Sequence, residues 1–129
     1  MLFWVAFGGA LGSVLRFSLG DFITEIFGES FPWGTLFVNG TGCFAIGIFA
    51  ALTDTNGYWP LRPEIRQFFM AGIFGGYTTF STFSLQTLNL AKNGAWLSAG
   101  FNSVGSLILC LLAVWLGHTC AVYLNSMKA

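Results

Sequence analysis

Apolar residues in this chain fall into long runs that are separated by short polar stretches. A helix needs about 20 mainly apolar residues to cross the hydrocarbon core of a bilayer. The connections between the runs contain turn and breaker signals such as Asn56-Gly57 and two prolines. The pattern therefore predicts an all-α membrane protein with a single four-helix transmembrane domain over residues 1–129. The predicted spans are residues 2–20, 33–53, 67–91 and 93–125.

The third predicted span contains a stretch that is poor helix material. Residues 75–84 read Gly-Gly-Tyr-Thr-Thr-Phe-Ser-Thr-Phe-Ser. The two glycines add backbone freedom, and the hydroxyl side chains compete for backbone hydrogen bonds. Non-helical backbone at membrane depth is tolerated only where protein buries it or where water reaches it. We therefore predict that the third helix is broken in the middle of the membrane, at an ion site or a pore.

The composition of the chain indicates that lipid is its main solvent. Hydrophobic residues make up 55% of the chain and charged residues only 8%, whereas a soluble domain carries about 25% charge. The first run lacks a positively charged start and a clear cleavage site, so we expect a retained span rather than a signal peptide. The net charge of zero gives no electrostatic basis for binding nucleic acid. Membrane lipid is therefore the partner that the composition predicts.

No pattern of reactive residues in the sequence points to an enzyme. The predicted spans contain no Asp or Glu, and the only histidine, His118, has no obvious acidic partner. We expect His118 to be an interfacial or hydrogen-bonded residue. Cys43, Cys110 and Cys120 lie in apolar runs without a Cys-x-x-Cys pair, which predicts buried free thiols. We therefore expect no enzymatic activity.

The positive charges give a weak signal for the orientation of the chain. Four spans place both termini on one side of the membrane, together with Arg62, Arg66 and Lys128, while Lys92 and Arg16 belong to the other side. Lys and Arg in short loops set the orientation of membrane proteins. A bias of three against two allows the chain to insert in both directions, and four helices are few for enclosing a pathway. We therefore predict an antiparallel, dual-topology homodimer.

Uncharged polar residues recur at intervals of four on two of the predicted spans. Residues at i and i+4 share one helix face, so each span presents a narrow polar stripe. Two interpretations remain open: hydrogen bonding between helices, or the lining of a narrow path for a small solute or ion. The stripes consist of Thr35, Asn39 and Cys43 on the second span, and of Ser98, Asn102, Ser106 and Cys110 on the fourth.

The predicted break offers two kinds of ion ligand. Unwound backbone can direct its carbonyl oxygens at a cation. Phe80 and Phe83 can present the positive edges of their rings to an anion, without a fixed charge that would hold the anion too tightly for fast release. Packing against lipid or in the core is the alternative for both phenylalanines. The Gly8-x-x-x-Gly12 motif of the first span predicts close helix packing and needs no further function.

Several blocks of the sequence resemble those of one known family. Residues 75–84 closely resemble the signature of the Fluc (CrcB) fluoride channels. Residues 12–16, Gly-Ser-Val-Leu-Arg, are similar to that family's first-span Gly-x-x-x-Arg, and residues 34–39, Gly-Thr-Leu-Phe-Val-Asn, to its Gly-Thr-Leu-x-Val-Asn. Residues 105–107 fit the fourth span, so the resemblance covers all four spans. Two positions differ: Gln86 stands where relatives often have Glu, and Asn102 occupies a variable position.

The resemblance implies a fluoride-selective channel for passive fluoride efflux, and hence fluoride resistance. The channel would be a multi-pass protein of the bacterial inner (plasma) membrane. It would be an antiparallel homodimer with two narrow pores and a central structural sodium ion, held by the backbone carbonyls of Gly75 and Thr78. Arg16 would attract anions near a pore entrance or anchor its helix. The residues implied for the fluoride path are Phe80, Phe83, Asn39, Ser106, Ser81, Thr82, Asn102 and Arg16.

Two other functions are compatible with parts of the sequence. A small dual-topology multidrug transporter shares the length and the span count. It would need an intramembrane carboxylate to exchange protons for cationic drugs, and the predicted spans contain none. A non-catalytic membrane scaffold would explain the glycines and the polar stripes as packing, but it would not explain a helix broken at mid-membrane.

Overall fold

The computed structural model describes residues 1–128, and all the regular structure in this part of the chain is helical. Three of the helices, α1, α2 and α6, are long and apolar enough to cross a membrane. The elements are α1 (Leu2–Phe27), α2 (Trp33–Leu52), α3 (Pro63–Gln67), a π-helical segment (Phe68–Phe74), α4 (Gly75–Tyr77), α5 (Phe80–Lys92) and α6 (Trp96–Ser126).

The region predicted as the third span consists of two helical stretches with a non-helical joint. The first stretch is formed by α3, the π-helical segment and α4, and the second is α5. Between them Thr78 and Thr79 are extended, with ψ angles of 157° and 118°. Each stretch alone is shorter than the about 20 residues that a crossing needs. The prediction of four spans, and of a break at mid-membrane, therefore stays a prediction.

The first helix is longer than the sequence pattern predicted. It continues past Gly20 to Phe27 and ends at Gly28, whose positive φ of 87° suits glycine. Asp21 and Glu25 therefore lie within a helix that can span a membrane, with their side chains exposed. The predicted limit at Gly20 is therefore too short for the helix, because nothing in residues 20–27 interrupts it.

The other long helices start and end close to their predicted limits. α2 covers Trp33–Leu52, one residue less than predicted. α6 begins at Trp96, after a turn in which Gly94 has a φ of 82°, rather than at the predicted residue 93. It runs unbroken over 31 residues, which confirms that it is longer than one crossing requires.

Glycines bring the helix backbones into close contact. A Cβ on Gly8 would lie 2.7 Å from a carbonyl oxygen of the π-helical segment, and one on Gly12 would collide with the carbonyl oxygen of Ile73. α2 and α6 approach each other in the same way at Gly47 and Gly117. Lipid supplies no hydrophobic force between helices, so such contacts hold a membrane bundle together. The prediction of close packing at Gly8-x-x-x-Gly12 is confirmed.

Large apolar side chains cover the outside of the single chain. Phe80 is 77% exposed and Leu97 is equally exposed, whereas the fully buried side chains are few and include Val38. This inverted distribution suits a protein that is surrounded by lipid or by a second copy. Cys43 and Cys110 are half-buried, but Cys120 is exposed on α6. The prediction of buried thiols is therefore wrong for Cys120, because α6 turns that position away from the other helices.

Candidate ion site at the helix break

The helix break is held by the side-chain amide of Asn39 on α2. Its Nδ2 donates to the carbonyl oxygen of Thr79 at 2.9 Å, and its Oδ1 accepts from the Thr79 N–H at 2.7 Å. In a continuous helix that N–H would bond to the carbonyl oxygen of Gly75, four residues earlier. The amide of Asn39 thus gives both backbone groups of Thr79 a partner while the chain is extended there.

Thr79 also starts the second helical stretch. Its Oγ1 accepts a hydrogen bond from the Thr82 N–H at 3.2 Å, so Thr79 is the N-cap of α5. The N-terminus of a helix carries a partial positive charge and unpaired N–H groups. The start of α5 therefore contributes a partial positive charge on its side of the break.

A cavity of about 410 Å³ lies beside the break, and we call it the break cavity. Its walls come from α2, from the joint with the start of α5, and from α6. The rings of Phe80 and Phe83 lie on this wall with their centroids 5.4 Å apart and their planes inclined by 54°. The lining residues are Asn39, Cys43, Thr78, Thr79, Phe80, Phe83, Ser103, Ser106, Leu107 and Cys110. The structure thus brings together four residues predicted for the fluoride path: Asn39, Phe80, Phe83 and Ser106.

A smaller cavity of about 170 Å³ adjoins the break cavity, and we call it the arginine cavity. Thr79 lines both cavities, so the joint separates them. The wall of the arginine cavity includes Arg16, Thr82 and Gln86. Arg16 is fixed there because its Nε donates to the carbonyl oxygen of Gly76 at 3.2 Å. Gln86 Oε1 is buried and accepts no hydrogen bond from residues 1–128, so this cavity contains an unused polar acceptor.

The two polar stripes of the sequence serve two purposes. Asn39 and Ser106 both reach the break cavity, as the path-lining interpretation requires. Asn102 is only 1% exposed, and its Nδ2 donates to Thr87 Oγ1 on α5 at 2.8 Å. Ser106 Oγ donates to Asn102 Oδ1 at 3.3 Å. Asn102 therefore lies behind the wall of the break cavity, where it links α6 to α5 by a hydrogen bond.

The remaining predicted residues lie around the joint. Ser81 is exposed, and its Oγ is 3.4 Å from Thr79 Oγ1. Gly75 is exposed and Thr78 is half-buried. The carbonyl oxygens of Gly75 and Thr78 accept no hydrogen bond from any residue of the described chain. These two oxygens fit the donor set of a cation that is bound by backbone carbonyls, although one chain supplies only part of such a set.

Thr79 was not among the predicted site residues, although it makes several of the hydrogen bonds at the break. It pairs with Asn39, caps α5 and lines both cavities. A hydroxyl residue just before a helix start is an N-cap signal, so the sequence contained a usable indication. Nothing in the sequence indicated that Cys43 and Cys110 would share a cavity wall, because this depends on how α2 packs against α6.

These observations define an all-helical membrane protein with a candidate ion site at a helix break. The chain belongs to the family described as "CrcB-like protein, Camphor Resistance (CrcB)", which it matches over residues 3–118. This family is one of ion channels, so the predicted resemblance and the prediction that the chain is not an enzyme are both confirmed.

Named relatives match nearly the whole chain. The "Fluoride-specific ion channel FluC" of Opitutus terrae is 58% identical over 125 residues, which are 97% of this chain and 95% of the relative. The proteins of the same name from Paramagnetospirillum magneticum and Rhodospirillum rubrum are 55% and 54% identical. The matches cover 94% of this chain and 94% of the relative in the first case, and 95% of each in the second.

Proposed function

We propose that the chain is a fluoride-selective ion channel through which fluoride leaves the cell passively. Membership of an ion channel family and relatives named as fluoride-specific channels support this function. The observation that carries the proposal is the break cavity, where Asn39, Phe80, Phe83 and Ser106 meet beside the capped end of α5.

The lining of the break cavity suits a small, strongly hydrated anion. Removing the water shell of fluoride is costly unless other polar groups replace it. The amide nitrogen of Asn39 has two hydrogens, and only one of them bonds to Thr79, so the second can point at an anion. The ring edges of Phe80 and Phe83 add further positive sites without a fixed charge. Ser106 donates its one hydroxyl hydrogen to Asn102, so the hydroxyl would have to rotate to offer that hydrogen to an anion.

The arginine cavity would serve as the vestibule of this path. Arg16 supplies the positive charge that concentrates anions, and Thr82 and Ser81 continue the row of hydroxyl groups past Thr79. Asp21 also lies on this wall, so a carboxylate does stand beside the pathway. This carboxylate does not support the alternative function of a multidrug transporter, because the chain belongs to an ion channel family.

The active form would be an antiparallel, dual-topology homodimer with two pores. In one chain Phe80 is 77% exposed and Gly75 is also exposed, so the break cavity lacks an outer wall. A second copy would cover both residues and enclose the path. With α3 to α5 crossing the membrane as one broken helix, each chain has four spans, and the two-fold symmetry of the pair gives one path for each chain.

A structural sodium ion would join the two chains at their breaks. The carbonyl oxygens of Gly75 and Thr78 are free of hydrogen bonds within residues 1–128, and two chains together would supply four of them. When bound, the ion would offset the repulsion between carbonyl dipoles that face one another. The setting of this dimer would be the bacterial inner membrane.

Fluoride efflux from liposomes tests the proposed function. Purified protein is reconstituted into vesicles loaded with equal fluoride and chloride, and the release of each ion is followed with its own electrode. We expect rapid release of fluoride and retention of chloride. Vesicles without protein provide the control for leakage. If correctly folded protein releases neither ion, or releases chloride as fast as fluoride, the proposal is wrong.

A further inference from the structure

We propose that Cys43 and Cys110 form a two-thiol binding site for one soft, thiophilic metal ion, such as Hg(II), on the wall of the break cavity. Neither cysteine is part of a disulfide, and both line the cavity beside Phe83. The binding site rests on the position of the two thiols alone. Its effect on ion flux rests in addition on the proposed function.

The packing of α2 against α6 places the two thiols together. Cys43 lies one helical turn after Asn39, and Cys110 lies one turn after Ser106, so the two cysteines form the next layer of the same cavity wall. The Cys43 and Cys110 side chains thus face the same cavity from neighbouring helices. The two thiols therefore need little movement to share one ligand.

The helices that carry the thiols are held rigidly at this level. A Cβ on Gly47 would collide with the carbonyl oxygen of Val114, and one on Gly117 with that of Phe44. These backbone contacts fix the distance between α2 and α6 within about one turn of the cysteines. A rigid pair of ligands binds a metal more tightly than two independent ones, because little freedom is lost on binding.

The chemistry of the pair selects the kind of metal. Soft thiolate ligands favour soft metal ions, and Hg(II) is satisfied by two sulfur ligands in a line. Structural zinc takes four ligands, and residues 1–128 contain no group of three or more His, Cys, Asp or Glu side chains that could hold a metal ion. On binding, two S–H bonds break, two S–Hg bonds form and two protons leave to water, with no change of oxidation state.

A metal ion at this position would obstruct the break cavity. The thiols share the cavity wall with Phe83 and Leu107, on the side of the path that α2 and α6 supply. A bound ion adds a positive charge and fills space between these side chains. Fluoride flux should therefore stop when the site is filled and return when a competing dithiol removes the metal.

Mercury binding by the purified dimer tests the site directly. The background variant is Cys120→Ala, which removes the exposed third thiol and leaves the candidate pair. One equivalent of Hg(II) is added, and a monothiol is then titrated until half of the metal is released. Because the second thiol acts at high effective concentration, the pair should withstand at least about tenfold more monothiol than the single-thiol variants do.

The single-thiol variants are Cys43→Ser and Cys110→Ser in the same background. Size-exclusion chromatography checks that both still fold, and Cys43→Ala and Cys110→Ala replace them if a serine is not tolerated. Equal release of mercury from the pair and from both single-thiol proteins would overturn the two-thiol site. Retention by the pair alone, with both thiols shielded from alkylation, would support it.

Fluoride efflux in the presence of Hg(II) tests the consequence. The efflux is measured at a monothiol concentration that removes Hg(II) from the single-thiol variants but not from the pair. We expect at least about a tenfold loss of flux in the Cys120→Ala protein and little loss in the single-thiol variants. If no protein releases fluoride before metal is added, the proposed function is wrong. The mercury-retention measurement would still show whether the two thiols bind one metal ion. Full flux with the metal held by both thiols would overturn the obstruction of the cavity.

Discussion

Asn39 and Thr79 exchange two hydrogen bonds, of 2.9 Å and 2.7 Å, between α2 and the joint of the broken helix. One side-chain amide thereby satisfies both backbone groups of a residue that also caps α5 and separates the two cavities. The shape of the break and the lining of the break cavity consequently depend on the same contact. Loss of this contact should affect stability and conduction together.

Replacement of Asn39 by alanine should lower both the stability and the fluoride flux. The N–H and carbonyl groups of Thr79 would lose their partners, at a cost of about 1 kcal/mol or more for each partly buried group. Thermal unfolding of the detergent-solubilised protein and liposome efflux measure the two effects. Asn39→Asp is the comparison variant: it keeps the acceptor for the Thr79 N–H but replaces the donor by a carboxylate oxygen, and because this negative charge also repels an anion, its flux should fall at least as far. Unchanged flux in Asn39→Ala would show that Asn39 does not line the proposed fluoride path.

Replacement of Phe80 or Phe83 by isoleucine should reduce fluoride flux by about tenfold or more, the change that about 1.4 kcal/mol of lost stabilisation produces. Isoleucine retains an apolar side chain but has no ring edge that could attract an anion. Phe3→Ile is the control, because Phe3 lies near the start of α1 and is 70% exposed. Wild-type flux in both break variants would mean that the rings only pack against lipid or a partner.

Replacement of Arg16 by glutamine should slow fluoride flux by about tenfold or more, as focused charges do, and the loss should shrink at high salt. Arg16→Lys keeps the charge but does not reproduce the Nε bond to Gly76. Flux close to wild type in Arg16→Lys would assign the effect to charge, and equal loss in both variants would assign it to that bond. A loss that is independent of salt would contradict steering by the charge.

Removal of sodium should weaken the function, the dimer or both. The carbonyl oxygens of Gly75 and Thr78 would face those of a second chain without a cation between them. Efflux and light scattering are compared in sodium and in a bulky organic cation at equal ionic strength, which keeps charge screening constant. Identical flux and identical dimer content in both media would argue against the sodium site.

Replacement of Gly12 by alanine should destabilise the fold, because the new Cβ would collide with the carbonyl oxygen of Ile73. Overpacking of this kind costs about 1–3 kcal/mol. Gly9→Ala is the matched control on the same helix, since a Cβ there meets nothing within 4 Å. Thermal unfolding compares the two variants. Equal stability of Gly12→Ala and Gly9→Ala would mean that α1 and the π-helical segment can move apart at no cost.

Much of the site could be predicted because its signals are local. The Gly-Gly-Tyr-Thr-Thr-Phe sequence placed the interruption within two residues of Thr78, since hydroxyl groups and glycines act on the backbone next to them. The long α1 was misjudged for the same reason: Asp21 is polar and ends an apolar run, but it does not end a helix. The hydropathy of a segment indicates whether lipid or water surrounds it, whereas the ends of a helix depend on capping and helix-breaking residues.

The sequence by itself determined the all-helical class, the family, the approximate extent of the three long apolar helices and the interruption of helical structure near Thr78, because hydropathy and backbone preference are properties of neighbouring residues. Only the tertiary structure decided that Asn39 is the partner of Thr79, that Asn102 bonds to Thr87, and that Cys43 lies against Cys110. Each of these contacts joins residues of different elements, at least 15 positions apart along the chain. The Cys43–Cys110 contact depends on where Gly47 and Gly117 let the backbones of α2 and α6 approach, and no local sequence pattern predicts that approach.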